Sequence, residues 1–276
     1  MGAGLTDWLD LKGKAALVTG GGGELCGRMA EALAECGAQV AVLDFDPAKA
    51  RAKADKIRGA KARAVPLVAD VTSRSSLEQA AAEFKKHFDG LDILINGAGG
   101  NSPQATTGKD LSFFELPEAA LRKVFDLNAL GTILSCQVFG KLMLDTRGQG
   151  DIINISSMNS FRPLTRIPAY SAAKAAVSNF TQWLAVHFAQ EYTPKIRVNA
   201  IAPGFFITDQ NRFLLQNQAG DLTERGKKII AHTPQARFGS PDDLISTLLW
   251  LLSPASAFVT GVVIPVDGGF SGYSGV

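Results

Sequence analysis

Short, uninterrupted apolar runs alternate along this chain with longer stretches in which apolar residues recur every three or four positions. The runs at 15–19, 40–44, 64–69, 91–96, 151–156, 196–201 and 262–266 predict seven strands. The stretches 25–36, 47–58, 73–88, 117–144, 168–190 and 241–252 predict helices, the first stopped by Gly37 and the third opened by a Ser/Thr start signal. Strands that are apolar throughout have no face to give to water. Separated by helices, they predict an α/β fold with a parallel, doubly wound sheet covered on both sides. Right-handed crossovers then put ligands outside the carboxyl ends of the strands.

Two stretches break this rhythm, 100–116 and 209–240. Long insertions at strand ends shape pockets, so both are expected to touch substrate. No repeat, low-complexity segment or linker divides the chain, and residues 1–276 are expected to form a single domain.

Composition narrows the function classes. A formal charge of +2 is too small to suggest a nucleic-acid partner. The basic residues between Lys49 and Arg63 lack interleaved aromatics and read as a solvated helix face with its following loop. There is no run of 18 apolar residues and no signal-peptide pattern, so no membrane partner is expected. The match of residues 1–6 to a myristoylation pattern reads as chance or a cloning remnant. The sequons at Asn154 and Asn179 fall inside predicted core elements. Cys26, Cys36 and Cys136 are odd in number and scattered, with no metal-ligand spacing to His87, His187 or His232. They read as reduced and packed, and the chain as cytoplasmic and without a metal.

Glycines crowd the exit of the first strand, Thr19-Gly-Gly-Gly-Gly-Glu-Leu-Cys-Gly27. A turn of this kind at a helix start lets backbone N–H groups face a pyrophosphate, with Gly20, Gly22, Glu24 and Leu25 around it. Asp44 ends the second strand, where a carboxylate accepts the adenosine ribose hydroxyls and repels a 2′-phosphate. Phe45 follows it, not an arginine, so the expected cofactor is NAD(H) rather than NADP(H). Asp70 and Val71, after the third strand, are expected at the adenine. Asn96, Ala98 and Gly99, after the fourth, are expected to let the cofactor lie against backbone.

Ser157, Tyr170 and Lys174 supply proton chemistry. Tyr170 and Lys174 lie four residues apart on one predicted helix face, and Ser157 stands thirteen positions before the tyrosine. An ammonium beside a phenol favours the phenolate, and a hydroxyl alongside can hold a substrate oxygen. With a dinucleotide turn in the same chain, this predicts hydride transfer coupled to proton transfer at a carbonyl.

These residues, with Asn128, Pro203-Gly204 and Val266-Asp-Gly-Gly269, resemble the short-chain dehydrogenase/reductase family from residue 11 to about residue 270. The resemblance implies a Rossmann-type domain with strand order 3-2-1-4-5-6-7. It implies that Asn128, Ser157, Tyr170 and Lys174 act as a unit, and that homotetramers are common. Its usual Thr-Gly-x-x-x-Gly-x-Gly loop is altered here: Glu24 and Cys26 stand at the last two glycine positions. Within the family, the loop, Gly97-Ala-Gly-Gly-Asn101, Ser156-Ser-Met-Asn159 and Ala202-Pro-Gly-Phe-Phe206 resemble the bacterial D-mannonate oxidoreductase group. That implies NADH-linked interconversion of D-fructuronate and D-mannonate.

On this reading Tyr170 supplies the proton, Ser157 holds the oxygen, and Lys174 tunes the phenol and holds the cofactor ribose. Asn128 would orient a water between Lys174 and solvent. Pro203 and Gly204 border the cofactor, Phe206 backs the nicotinamide, and Thr208 bonds its carboxamide. The expected substrate contacts are Asn101, Met158, Asn159, Asn211 and Arg212, with Arg212 as carboxylate partner. Another carbonyl reductase, for gluconate-type acids, polyols or acyl thioesters, is the same-fold alternative. A non-catalytic nucleotide sensor is the alternative of a different class. The broad apolar surface of helix 168–190 is expected to pack against a second subunit.

Overall fold

The computed structural model describes residues 9–208 and 211–275. The myristoylation-like pattern and the first two positions of the second insertion lie outside the described residues. Strands β1 (Ala15–Thr19), β2 (Gln39–Asp44), β3 (Ala64–Val68), β4 (Ile93–Asn96), β5 (Gly150–Ile155), β6 (Ile196–Pro203) and β7 (Val263–Val266) form one sheet. All pairings are parallel, and the order is β3-β2-β1-β4-β5-β6-β7.

The helices are α1 (Glu24–Glu35), α2 (Pro47–Gly59), α3 (Arg74–His87), α4 (Glu118–Phe125), α5 (Gly131–Arg147), α6 (Pro168–His187), α7 (Arg212–Leu215), α8 (Glu224–Ala231) and α9 (Ile245–Leu252). Side chains alternate across a strand, and here both directions lead into a core. Leu17, Leu43 and Leu94 join Phe84, Phe139 and Leu184 on one face of the sheet. Val18, Val42 and Ile95 join Met29, Leu33 and Leu248 on the other. That double burial is why these strands show no polar alternation. Pro66 and Pro265 fall in β3 and β7, the two edge strands, where a missing ladder donor costs least.

Two predicted helices are interrupted. The stretch 117–144 is divided by one π-helical turn, Asp126–Leu130, before α5 continues to Arg147. Helix α6 ends in another, Phe188–Tyr192. By length and composition the stretch Glu118–Arg147 could cross a membrane, but most of its apolar window is buried inside the fold, as in a core helix. The two insertions hold short elements: 3-10 turns Pro103–Ala105 and Phe113–Glu115 in the first, and α7 and α8 in the second.

Candidate active site

Strand order reverses between β2-β1 and β4-β5, and the crevice opens at the carboxyl ends there, with a volume of about 1190 Å³. Its floor is the turn after β1. The Thr19 Oγ1 accepts the N–H groups of Gly97 (3.1 Å) and Ala98 (3.2 Å), joining this turn to the one after β4. Gly20 has φ of +63°, and a Cβ there would lie 2.9 Å from the Ala98 Cα. Backbone therefore packs on backbone, which only glycine permits. Gly23 begins α1 without a side-chain cap. The first-turn N–H groups border the crevice and give it a positive end fitted to a phosphate. Cys26 is accommodated because Gly97, packed against its sulfur, has no Cβ.

The Asp44 carboxylate spans two segments. Its Oδ2 accepts from Gly22 N (3.0 Å) and its Oδ1 from Asp46 N (3.0 Å). Asp70 is likewise fixed: its Oδ1 accepts from Thr72 N (2.9 Å) and Thr72 Oγ1 (2.7 Å), while its own N–H donates to Ser76 Oγ (3.0 Å). Gly20, Gly22, Glu24, Leu25, Asp44, Phe45, Asp70, Val71, Ala98 and Gly99 all line the crevice, as do Pro203, Gly204, Phe206 and Thr208. Asn96 does not. Its side chain turns into the core, where Nδ2 donates to Asn154 Oδ1 (2.9 Å) and Cys136 Sγ (3.1 Å). Asn154 Nδ2 in turn donates to Thr181 Oγ1 (2.9 Å). This buried network joins β4, β5 and α6.

Sequence reasoning missed the wall opposite. Arg122, Lys123, Leu127 and Leu130 also line the crevice. They come from α4 and the π turn, and they reach it because the start of α5 packs on Val71. Their spacing in the sequence is that of any amphipathic helix, so no local signal marks them.

On the reaction side, Ser157 opens the 3-10 turn Met158–Ser160, and its Oγ accepts from Asn159 N (3.3 Å). Tyr170 and Ser157 both line the crevice. Burial pushes the Tyr170 phenol above its ordinary pKa, and the neighbouring Ser157 side chain draws it down. Lys174 is buried, and its Nζ donates to the Ile155 carbonyl (2.8 Å). Burial brings its pKa down to about 8. The expected lowering of the tyrosine by Lys174 is therefore not what sets the phenol in this structure. The ammonium lies 5.7 Å from the ring centroid and spends a proton on backbone.

Asn128 sits in the π turn, fully buried. Its Nδ2 donates to Gly100 O and Val124 O (both 2.7 Å), and its Oδ1 accepts from Gly100 N (3.1 Å). The side chain thus holds the loop after β4 against the helix and does not line the crevice.

Of the expected substrate contacts, Asn211 lines the crevice, and its amide ties the loop by bonds to Thr208 N and Phe206 O (2.8 Å each). Asn101 is exposed and donates to Thr106 Oγ1 (2.8 Å). Met158 and Asn159 are buried within the 3-10 turn. Arg212 begins α7 with its side chain exposed, outside the crevice lining. These four and Asn96 thus stand outside the crevice lining. Among the described residues no His, Cys, Asp and Glu cluster could hold a metal.

Comparison with known proteins agrees with this geometry. Residues 25–271 match a family model described as enoyl-(acyl carrier protein) reductase. The uncharacterized oxidoreductase UxuB of Bacillus subtilis is 50% identical, the match covering 97% of this chain and 98% of that one. The 5-keto-D-gluconate 5-reductase of Escherichia coli is 31% identical, with 96% and 98% covered. A crystal structure from Haemophilus influenzae, described as a candidate D-mannonate oxidoreductase with bound NAD, superposes with a TM-score of 0.90 at 46% identity over 97% of this chain and 98% of that one. With its parallel sheet, its glycine turn and its Ser–Tyr–Lys group in one crevice, this chain belongs to the short-chain dehydrogenase/reductase family of oxidoreductases.

Proposed function

We propose that this protein is an NAD(H)-dependent oxidoreductase interconverting a keto sugar acid and its hydroxy acid, with D-fructuronate and D-mannonate as the pair. The observation that carries the redox reading is that Ser157, Tyr170 and Lys174 line the same crevice as the glycine turn. The likeness to the Haemophilus influenzae structure supports the substrate pair. Asp44 supports NAD(H): its carboxylate stands at the crevice edge, where a 2′-phosphate would meet a like charge.

The residues fit such a cofactor. The turn at Gly20–Gly23 and the start of α1 would take the pyrophosphate, Asp44 the adenosine ribose, and Val71 with Leu127 and Leu130 the adenine. The nicotinamide supplies the hydride when bound. Tyr170 gives its proton to the developing alkoxide, and Ser157 donates a hydrogen bond to the same oxygen. Lys174, with its charge beside the ring, would hold the cofactor ribose and favour the phenolate left behind. Gluconate-type acids are a second reading, favoured by the likeness to 5-keto-D-gluconate 5-reductase. We read the protein as a cytoplasmic homotetramer. The exposed Trp183, stacked between Phe180 and His187 on α6, supports a subunit contact, and a monomeric mass by light scattering would remove it.

The test is loss of NADH absorbance with D-fructuronate, 5-keto-D-gluconate, neutral ketoses and a 3-oxoacyl thioester. The highest kcat/KM is expected for D-fructuronate, and Tyr170→Phe should abolish turnover. No turnover of any sugar acid would end the substrate reading, and full activity in Tyr170→Phe would end the assigned acid.

A further inference from the structure

Phe205, the first residue past Gly204, borders two hollows. It lines the crevice, and it also lines a second cavity of about 380 Å³. That cavity forms where the end of the second insertion docks on the turns after β6 and β7: Gly239 N donates to Phe205 O (2.9 Å), and Gln235 N donates to Gly268 O (3.1 Å). A ring with empty volume beside it lacks partner atoms on that side and needs another contact to stay in place. Phe270 supplies one. The two ring centroids lie 5.1 Å apart with the planes at 67°, an edge-to-face pair. Phe270 itself lines neither hollow.

Phe270 is fixed in turn by its own segment. The Asp267 carboxylate accepts from Gly269 N (3.0 Å) and Ser271 N (2.8 Å), closing the turn around it. Arg162 Nε donates to Ser271 O (3.0 Å), and Arg162 N donates to Met158 O (3.0 Å), inside the turn that Ser157 opens. The segment after β7 is therefore tied both to Phe205 and to the Ser157 turn. Sheet order puts Phe205 at the same end. It leaves β6, the neighbour of β5 and so of Ser157, whereas Asp44 leaves β2 on the other side of the switch point.

We propose that Phe205, held by Phe270, is the wall that sets substrate size at the Ser157 end of the crevice. Its ring limits what can sit beside Ser157 and Tyr170 and keeps water from a compact substrate. Phe270 is a positioning residue that acts through it. Without Phe270 the Phe205 ring can turn into the second cavity, and the crevice widens. The inference rests on the redox reading above and adds its size filter.

The experiment is steady-state kinetics of Phe205→Ala, Phe205→Leu, Phe270→Ala and the double alanine variant, with NADH Kd read by fluorescence titration. KM for D-fructuronate should rise about tenfold in Phe205→Ala, the scale of one lost apolar contact. In Phe270→Ala it should rise about 3- to 10-fold, the worth of one edge-to-face pair. The double variant should resemble Phe205→Ala, because the second change acts through the first. Phe205→Leu, which keeps bulk, should recover part of the loss. Preference should shift toward the bulkier 3-oxoacyl thioester in both single alanine variants, and NADH Kd should hold. Unchanged KM in Phe205→Ala would overturn the proposal. So would additive effects, or an equal loss of NADH affinity, which would mean that the loop after β6 had collapsed. The two readings fail separately. If only ketones other than sugar acids are reduced, the sugar-acid reading falls and the same coupling is measured on the ketone that is. If none is reduced, hydrogen exchange at the Ser271 and Tyr273 amides decides: faster exchange in Phe205→Ala keeps the coupled pair, and unchanged exchange removes it.

Discussion

Lys174 Nζ stands 5.7 Å from the centroid of the Tyr170 ring and donates instead to the carbonyl of Ile155 at 2.8 Å. The proposed proton relay thus rests on a half-buried phenol and a buried ammonium moved in opposite directions, the phenol upward and the ammonium down to about 8. Each is pushed toward its neutral form, which is what desolvation does to an acid and to a base.

The pH dependence of ketone reduction follows. On the proposed mechanism, the forward reaction needs a protonated Tyr170 and a charged Lys174. Both hold below about pH 8, so kcat/KM for reduction should fall above about 8, where Lys174 loses its proton. A pH profile from 6 to 10 reads this directly. Lys174→Arg, which keeps its charge, should move the alkaline limb upward whatever its absolute rate. An alkaline limb that stays in place would assign it to another group.

Stability carries the same sign. In the unfolded chain Lys174 keeps its proton to its ordinary 10.5, and in the fold only to about 8. The unfolded state binds more protons between those values, so this residue's contribution rises with pH from about 8 to about 10.5 and is least favourable below. Lys174→Met should therefore stabilise the cofactor-free protein at pH 7 by about 1–3 kcal/mol, and by much less at pH 10.5. Urea midpoints at the two pH values test it. A destabilised variant at pH 7 would show that the bond to Ile155 outweighs the desolvation.

On the proposed function, Asp44 governs cofactor choice. Asp44→Ala removes the negative charge at the crevice edge and also the acceptor for Gly22 N and Asp46 N. The ratio of kcat/KM for NADH to that for NADPH should drop by about tenfold or more, a worth of roughly 1.4 kcal/mol. An unchanged ratio would place the ribose elsewhere.

Cys26 and Gly97 form a steric pair. Gly97→Ala alone would drive a methyl into the Cys26 sulfur and should cost about 1–3 kcal/mol, the usual range for overpacking. Adding Cys26→Gly should return most of that loss, with Thr19 O, 3.0 Å from the new Cβ, as the remaining crowding. A thermal-melt double-mutant cycle measures the coupling, and additive effects would show that the two sites do not touch.

Much of the fold was legible because period carries it. A short unbroken apolar run such as 15–19, closed by glycines, reads as a strand covered on both faces, and here Leu17 and Val18 do enter opposite cores. The glycine turn, Asp44 and the Ser157–Tyr170–Lys174 spacing were legible because each chemical demand is local: a φ of +63° at Gly20, a strand end, one helical turn. Asn96 misled for the opposite reason. Its neighbours Ala98 and Gly99 line the crevice, but a strand residue's direction depends on which core claims it.

The sequence by itself determined the sheet, its covered faces, the order of elements and the residue types able to exchange a hydride and a proton. Tertiary structure decided what no spacing encodes. It turned Asn128 into a clamp on Gly100 and kept Arg212 in solvent. Periodicity reports how each residue relates to its own element. Burial, and so the charge state of Lys174 and Tyr170, depends on segments far away in the chain that fold over them.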